Sequence, residues 1–226
     1  ADTICAHFPD YEQSPFVQEK FYEDWSHDST WGWQQDRAVV GHNLKIAWNL
    51  MRIAHVRPKD TYIQLAQKIA GLMPSVGMDT QRGGWYDVVE RKLGPGEEYH
   101  RFVWHDRKAW WQQEQGILAY LILHGSLGKE EYLKYARESS AFYSAFFLDT
   151  DDGAVYFNTL AGGLPYLLGN ERLKGSHSMS AYHSCELAYL AAVYTNLLIT
   201  GQPMSFYFKP KPGGFAELPA AGVRVL

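Results

Sequence analysis

His42, Lys45 and Asn49 stand three and four residues apart in the stretch Gly41-His42-Asn43-Leu44-Lys45-Ile46-Ala47-Trp48-Asn49-Leu50. In a helix that spacing puts all three on one face. An imidazole titrates near neutral pH, so a histidine at the mouth of a helix with polar groups behind it suits proton transfer. The segment reads equally as a polar cap on a surface helix, and alone it favours that plainer reading. A second segment, Tyr182-His183-Ser184-Cys185-Glu186, changes the balance. His183 and Glu186 repeat the arrangement of a histidine with an ionisable partner one turn later. Two such histidines on different helices point to a shared site.

A third segment lies between them, Asp106-Arg107-Lys108-Ala109-Trp110-Trp111-Gln112-Gln113-Glu114-Gln115. Lys108, Trp111 and Gln115 share a helix face. Two adjacent tryptophans followed by four polar residues make poor core material on the polar side. The competing reading buries one Trp and lays the other over a neighbouring loop.

Composition narrows the chemistry. The 226 residues are 46% hydrophobic and 20% charged, enough for one good-sized domain spanning 1–226. The net charge of −4, with scattered Lys and Arg, argues against a nucleic-acid surface. No apolar run is long enough to span a bilayer, and the first residues lack the pattern of a secretory signal. Cys5 and Cys185 form no disulfide framework, so a reducing cytoplasm is the expected setting. The 8 Trp, 15 Tyr and 11 Phe are the unusual feature, because many sit beside polar residues and glycines. Aromatic faces next to hydrogen-bonding groups suit a sugar, whose C–H faces stack while its hydroxyls bond.

Other constellations fail. Asp149-Thr150-Asp151-Asp152-Gly153 starts like a calcium loop, but Leu160 stands where a bidentate Glu is needed. His100, His105 and Asp106 match no zinc spacing, and there is no phosphate-binding loop and no nucleophile elbow. No metal or cofactor is expected. Asp79, Asp87 and Glu90 offer a carboxylate pair for glycoside hydrolysis, but read better as structural acids.

The elements that must position these groups are helices. Apolar spacing predicts them at about 42–57, 60–73, 107–124, 129–148 and 178–200. Asp60 is the expected N-cap of the second and Pro74 its stop. Residues 1–40 read as irregular, with a strand-like piece at 19–25 and a turn at 31–33. Trp85 to Val89 and Tyr99 to Trp104 read as a hairpin, Ala154 to Phe157 as extended, and 161–177 as loop. Helix pairs joined by short turns at one end and long loops at the other make a bundle or a toroid.

With these segments in place, the chain resembles the N-acylglucosamine 2-epimerase and cellobiose 2-epimerase family. Gly41-His42-Asn43-Leu44-Lys45 with Trp48 resembles its Gly-His-x-x-Glu-x-x-Trp segment. Lys108 to Gln113 resembles its Lys-x-Trp-Trp-x-Gln segment. Tyr182 to Glu186, preceded by Lys174-Gly175, resembles its Tyr-His-x-x-Arg segment. The resemblance implies an all-α (α/α)6 toroid, here its C-terminal half, with short β-hairpins in the long loops. The last family helix is replaced by the tail around Phe206 to Pro212. It implies interconversion of sugars next to the carbonyl through an enediol(ate), as a 2-epimerase or an aldose–ketose isomerase. His42 and His183 are then the catalytic base and acid, and Trp111, Trp110, Lys108 and Gln113 bind substrate. The family has Glu at position 45, Arg at 186 and Glu at 115. Lys45 and Glu186 are therefore expected to form an ion pair of reversed polarity, while Gln115 removes a charge. A small-molecule sugar is the expected partner, with a second copy or the missing N-terminal half covering the open ring. The alternatives are a non-catalytic carbohydrate-binding or regulatory domain on the same toroid and, further off, a glycoside hydrolase or lyase.

Overall fold

The computed structural model describes residues 1–32, 36–166, 174–175 and 179–207. Trp33, most of the expected loop at 161–177 and the tail beyond Tyr207 lie outside the described residues.

Among the described residues six α-helices carry the fold: α1 (Asp2–His7), α2 (Val40–Val56), α3 (Asp60–Val76), α4 (Trp110–Leu127), α5 (Glu130–Phe146) and α6 (Ala181–Tyr194). The last runs on through a π-helical segment, Thr195–Thr200. α2 pairs with α3 and α4 with α5, while α2, α4 and α6 pack side by side. Two rows result: α2, α4 and α6 inside, α3 and α5 outside. The main core lies between them, with Leu44, Trp48, Met51, Ile69, Met73, Leu118 and Ile122 buried. A smaller cluster of Trp110, Phe142, Tyr143, Phe147 and Phe157 joins α4 and α5 to a loop.

α3 runs through the expected stop at Pro74. A proline has no N–H for the carbonyl four residues back, which is Ala70 O. The Tyr120 hydroxyl, from α4, donates to that oxygen at 2.8 Å, so the helix continues with its carbonyl satisfied. Asp60 opens α3 as its first residue; Lys59 holds the cap position. α1 lies where irregular chain was expected, a helix too short to show an apolar period.

The short strands are not local hairpins. β1 (Arg37–Val39) pairs antiparallel with β2 (Val88–Glu90), and β3 (Lys108–Ala109) with β4 (Asn158–Thr159). Each ladder ties the entry of an inner helix, α2 or α4, to a distant loop. Tyr99 to Trp104 does return against β2 as expected, through the antiparallel Val89–Phe102 bridge, with Glu90 N–H donating to Arg101 O at 2.8 Å and Val103 N–H to Val88 O at 3.1 Å. The expected strand at 19–25 is a turn held by one bridge, Phe21 to His27, with Trp25 in the left-handed region at φ 66°.

One turn occurs twice. Asp79 Oδ1 accepts from the Gln81 and Arg82 N–H groups, and Asp149 Oδ1 from those of Asp151 and Asp152. A lysine then closes each turn. Lys108 Nζ donates to Asp79 Oδ2 at 3.0 Å and to Gly83 O at 2.6 Å. Lys174 Nζ donates to Asp149 Oδ2 at 2.5 Å and to Gly153 O at 3.2 Å.

Candidate functional site

The inner helices bring the two histidines to opposite neighbours of one indole. His42 sits in the first turn of α2, directly after β1. Its ring centroid is 5.3 Å from that of Trp111, at the start of α4. His183, in the first turn of α6, lies 5.5 Å from the same ring. Neither is sealed: the His42 side chain is 39% exposed and that of His183 22%. Gly41 makes the approach possible. Its N–H donates to Gln112 Oε1 at 2.6 Å, and a Cβ there would stand 2.7 Å from both Gln112 and Trp111.

Each imidazole has a polar backing. His42 Nδ1 meets Glu19 Oε2 at 2.5 Å. Glu19 belongs to the N-terminal loop, and buried groups hold that loop in place. Val17 N–H donates to Asn43 Oδ1 at 3.0 Å, one residue along from His42. Arg91, 2% exposed, donates to Val17 O, Phe16 O and the Asp10 carboxylate. On the other side, Gln115 Nε2 lies 3.3 Å from His183 Nδ1 and donates to Glu186 Oε2 at 3.1 Å. Gln115 Oε1 accepts from Trp48 Nε1 at 2.8 Å, which fixes the amide's orientation. Lys45 Nζ stands 3.4 Å from Glu186 Oε2 and donates to the Tyr182 hydroxyl at 3.1 Å. Burial, followed by the Lys45 charge, pushes the His183 pKa below its ordinary value; Glu186 acts the other way.

Position on α4 separates the remaining expectations. Trp111 lines a cleft of about 680 Å³ together with Trp110 and His42. Trp110 is otherwise core, 3% exposed and packed on Phe157. Lys108 and Gln113 do not reach the cleft, so their expected substrate contacts are corrected. Lys108 is 0% exposed, and its ammonium spends its third hydrogen on Ala161 O at 3.1 Å. Gln113 is spent on backbone: Oε1 accepts from Trp85 N, and Nε2 donates to Trp85 O and Ala109 O. The four polar residues after Trp111 are all buried, each serving a different neighbour. Glu114 is the third of these: Oε1 accepts from Tyr143 at 2.7 Å and Ser184 at 2.6 Å. Burial raises its pKa to about 7.

Sequence reasoning missed Glu19 and the far wall of the cleft. That wall holds Trp104, His105, Arg107 and Tyr166. The His105 ring packs at a tilt against Tyr166, and Arg107 covers Trp104 while bonding Asp87 at 2.6 Å. No spacing rule reaches Glu19 from His42, since the contact depends on how a loop folds back. The acids considered for hydrolysis are held by other side chains: Asp79 by Lys108, Asp87, which lines the cleft, by Arg107 and Gln112, and Glu90 by Arg37.

The N-acylglucosamine 2-epimerase (GlcNAc 2-epimerase) family model matches residues 1–166. The chain belongs to that family. The match ends before α6, so His183 enters the site on the geometry above. Solved structures of similar fold include a cellobiose 2-epimerase from Bacillus thermoamylovorans, 18% identical with a TM-score of 0.67. A D-mannose isomerase is 20% identical with a TM-score of 0.64. A cellobiose 2-epimerase from Spirochaeta thermophila is 14% identical with a TM-score of 0.63. These alignments cover 85%, 84% and 88% of this chain but 44%, 45% and 46% of the others. The chain thus spans under half the length of these relatives, as a half-ring of the (α/α)6 toroid would. No curated protein sequence matches it. Among the described residues no helix is long and apolar enough to cross a membrane.

Proposed function

We propose that this chain carries the proton-transfer half of a sugar 2-epimerase or aldose–ketose isomerase. A sugar enters the 680 Å³ cleft and stacks on Trp111. His42 and His183 exchange protons with the carbon next to the carbonyl and with the carbonyl oxygen, through an enediol(ate). One observation carries this reading: both imidazoles lie within 5.5 Å of the same partly exposed indole, and both remain reachable. Proton transfer requires groups within hydrogen-bond reach of one small molecule; His42 lines the cleft, and His183 packs against Trp111, which lines it too. Family membership and the epimerase-type fold point the same way. No metal or other cofactor enters the scheme. A cytoplasmic setting goes with it, in keeping with the free thiols of Cys5 and Cys185.

The test is isotope exchange. The protein is incubated with aldoses in heavy water and C2 is examined for deuterium. Exchange is expected, falling by roughly 100-fold or more in His42→Ala and in His183→Ala. Sugar binding without exchange would replace this reading with that of a binding module.

A further inference from the structure

The two histidines are not equivalent, and their hydrogen-bond partners say how they differ. A carboxylate oxygen only accepts, so Glu19 Oε2, 2.5 Å from His42 Nδ1, requires a hydrogen on that nitrogen. In neutral His42 the lone pair is then on Nε2. The partner of His183 is the opposite kind. An indole N–H only donates, so Trp48 Nε1 fixes the end of the Gln115 amide that it meets as the oxygen. The other end is the NH2 group. One hydrogen goes to Glu186 Oε2 at 3.1 Å and the other to His183 Nδ1 at 3.3 Å. His183 Nδ1 therefore accepts, and the ring hydrogen of neutral His183 is on Nε2. Glu186 Oε2 stays 3.7 Å from that Nδ1, beyond hydrogen-bond distance. Burial and the Lys45 charge lower the His183 pKa, the direction that favours the neutral ring an accepting Nδ1 requires.

We infer that His42, backed by Glu19, is the single carbon base of the site, that neutral His183 is a hydrogen-bond donor to the substrate oxygens, and that the reaction is aldose–ketose isomerisation. This rests on the proposed proton-transfer function and narrows it. His42 Nε2 takes the C2 proton, the C2–H electron pair becomes the C1=C2 bond, and the carbonyl π pair moves to O1. His183 Nε2–H bonds to O1, gives its proton there and recovers one from the O2 hydroxyl. The electron pair left on O2 forms C2=O, and C1 takes back the proton held by His42. Both imidazoles end as they began. A neutral imidazole can polarise a carbonyl in this way. Inversion at C2 would need a proton delivered from the opposite face, and the hydrogen of His183 is committed to oxygen. Return from the His42 face gives either the starting aldose or the ketose.

Nitrogen NMR of the imidazoles in the 226-residue chain tests the assignment without any substrate. Neutral His42 is expected as the Nδ1–H tautomer and His183 as the Nε2–H tautomer. In Gln115→Glu, an acceptor replaces the amide donor and His183 should move to Nδ1–H. Turnover supplies the second arm. Ketose should form at least about tenfold faster than the C2 epimer, and His183→Gln, which keeps a neutral N–H donor, should retain more exchange than His183→Ala. Glu19→Ala should slow C2 exchange by about 100-fold with little change in KM. A His183 found as Nδ1–H in the unaltered protein, or an epimer formed as fast as ketose, would overturn the inference while leaving the proposed function standing. Absence of C2 exchange with every aldose would instead remove the function, and the tautomers would still be measured.

Discussion

Three side chains change together at the mouth of α6. In the resembling family pattern, positions 45, 115 and 186 read Glu, Glu and Arg; here they are Lys45, Gln115 and Glu186. The structure gives the reason Gln115 accompanies the exchange. With an acid at 186, a carboxylate at 115 would face like charge at close range, whereas the amide donates to it at 3.1 Å. Reversing one charge, as in Lys45→Glu, sets two carboxylates against each other in a partly buried place. Each single reversal is expected to cost about 1–2 kcal/mol in urea unfolding. The double variant Lys45→Glu/Glu186→Lys should recover only part of this, because Gln115 would then point a donor at an ammonium. Adding Gln115→Glu supplies an acceptor both for that relocated ammonium and for the Trp48 indole, and should restore the remainder. A triple variant no more stable than the singles would count against the coupling.

At the scale of elements, the lysine-closed turn explains why a residue expected at the substrate is structural. The same turn precedes the entry to α4 and the entry to α6, and each is locked by a lysine. The two locks differ in burial. Lys108 is 0% exposed and faces a 3% exposed Asp79, while the Lys174 side chain is 28% exposed. Removing one partner of a buried pair strands a charge; removing an exposed one lets water replace it. Lys108→Met should therefore cost about 3–5 kcal/mol in urea unfolding. Lys174→Met should be far milder, and equal losses would show that burial does not set the difference. Since β3 leads straight into Trp110 and Trp111, a surviving Lys108 variant should also lose sugar affinity.

At the scale of the whole molecule, Glu114 links stability to pH. It joins three helices: its own α4, α5 through Tyr143 and α6 through Ser184. Its pKa is about 7 in the fold against an ordinary 4.5, so the folded state holds the proton more tightly than the unfolded chain. Between those values the unfolded chain binds fewer protons, and stability falls as pH rises. The contribution is greatest below about pH 4.5 and gone above about pH 7, a span of roughly 3 kcal/mol. His183, with its lowered pKa, slopes the other way, because the unfolded chain protonates it first. Comparison with Glu114→Gln isolates the acid: the unaltered chain should lose stability relative to that variant between about pH 5 and pH 8 in urea melts. A difference that stays constant with pH would remove Glu114 as the source.

Local spacing was enough to place five long helices and to bring forward His42, Trp111 and His183. Helical periodicity is a property of neighbouring residues and does not depend on what packs against them. The same spacing could not tell which polar residues of α4 meet the cleft. Gln112 to Gln115 point in successive directions around a helix that has neighbours on several sides, so each finds its own buried partner. Pro74 failed as a stop for the same reason: Tyr120, remote in the chain, satisfies the carbonyl that the proline leaves open. Glu19 likewise meets His42 only because Arg91 and Asn43 fold the N-terminal loop over α2. The sequence by itself determined the five long helices and set His42, Trp111 and His183 at their entrances. Tertiary structure alone decided that Glu19 backs His42 and Gln115 backs His183, because contacts between distant segments depend on packing in three dimensions.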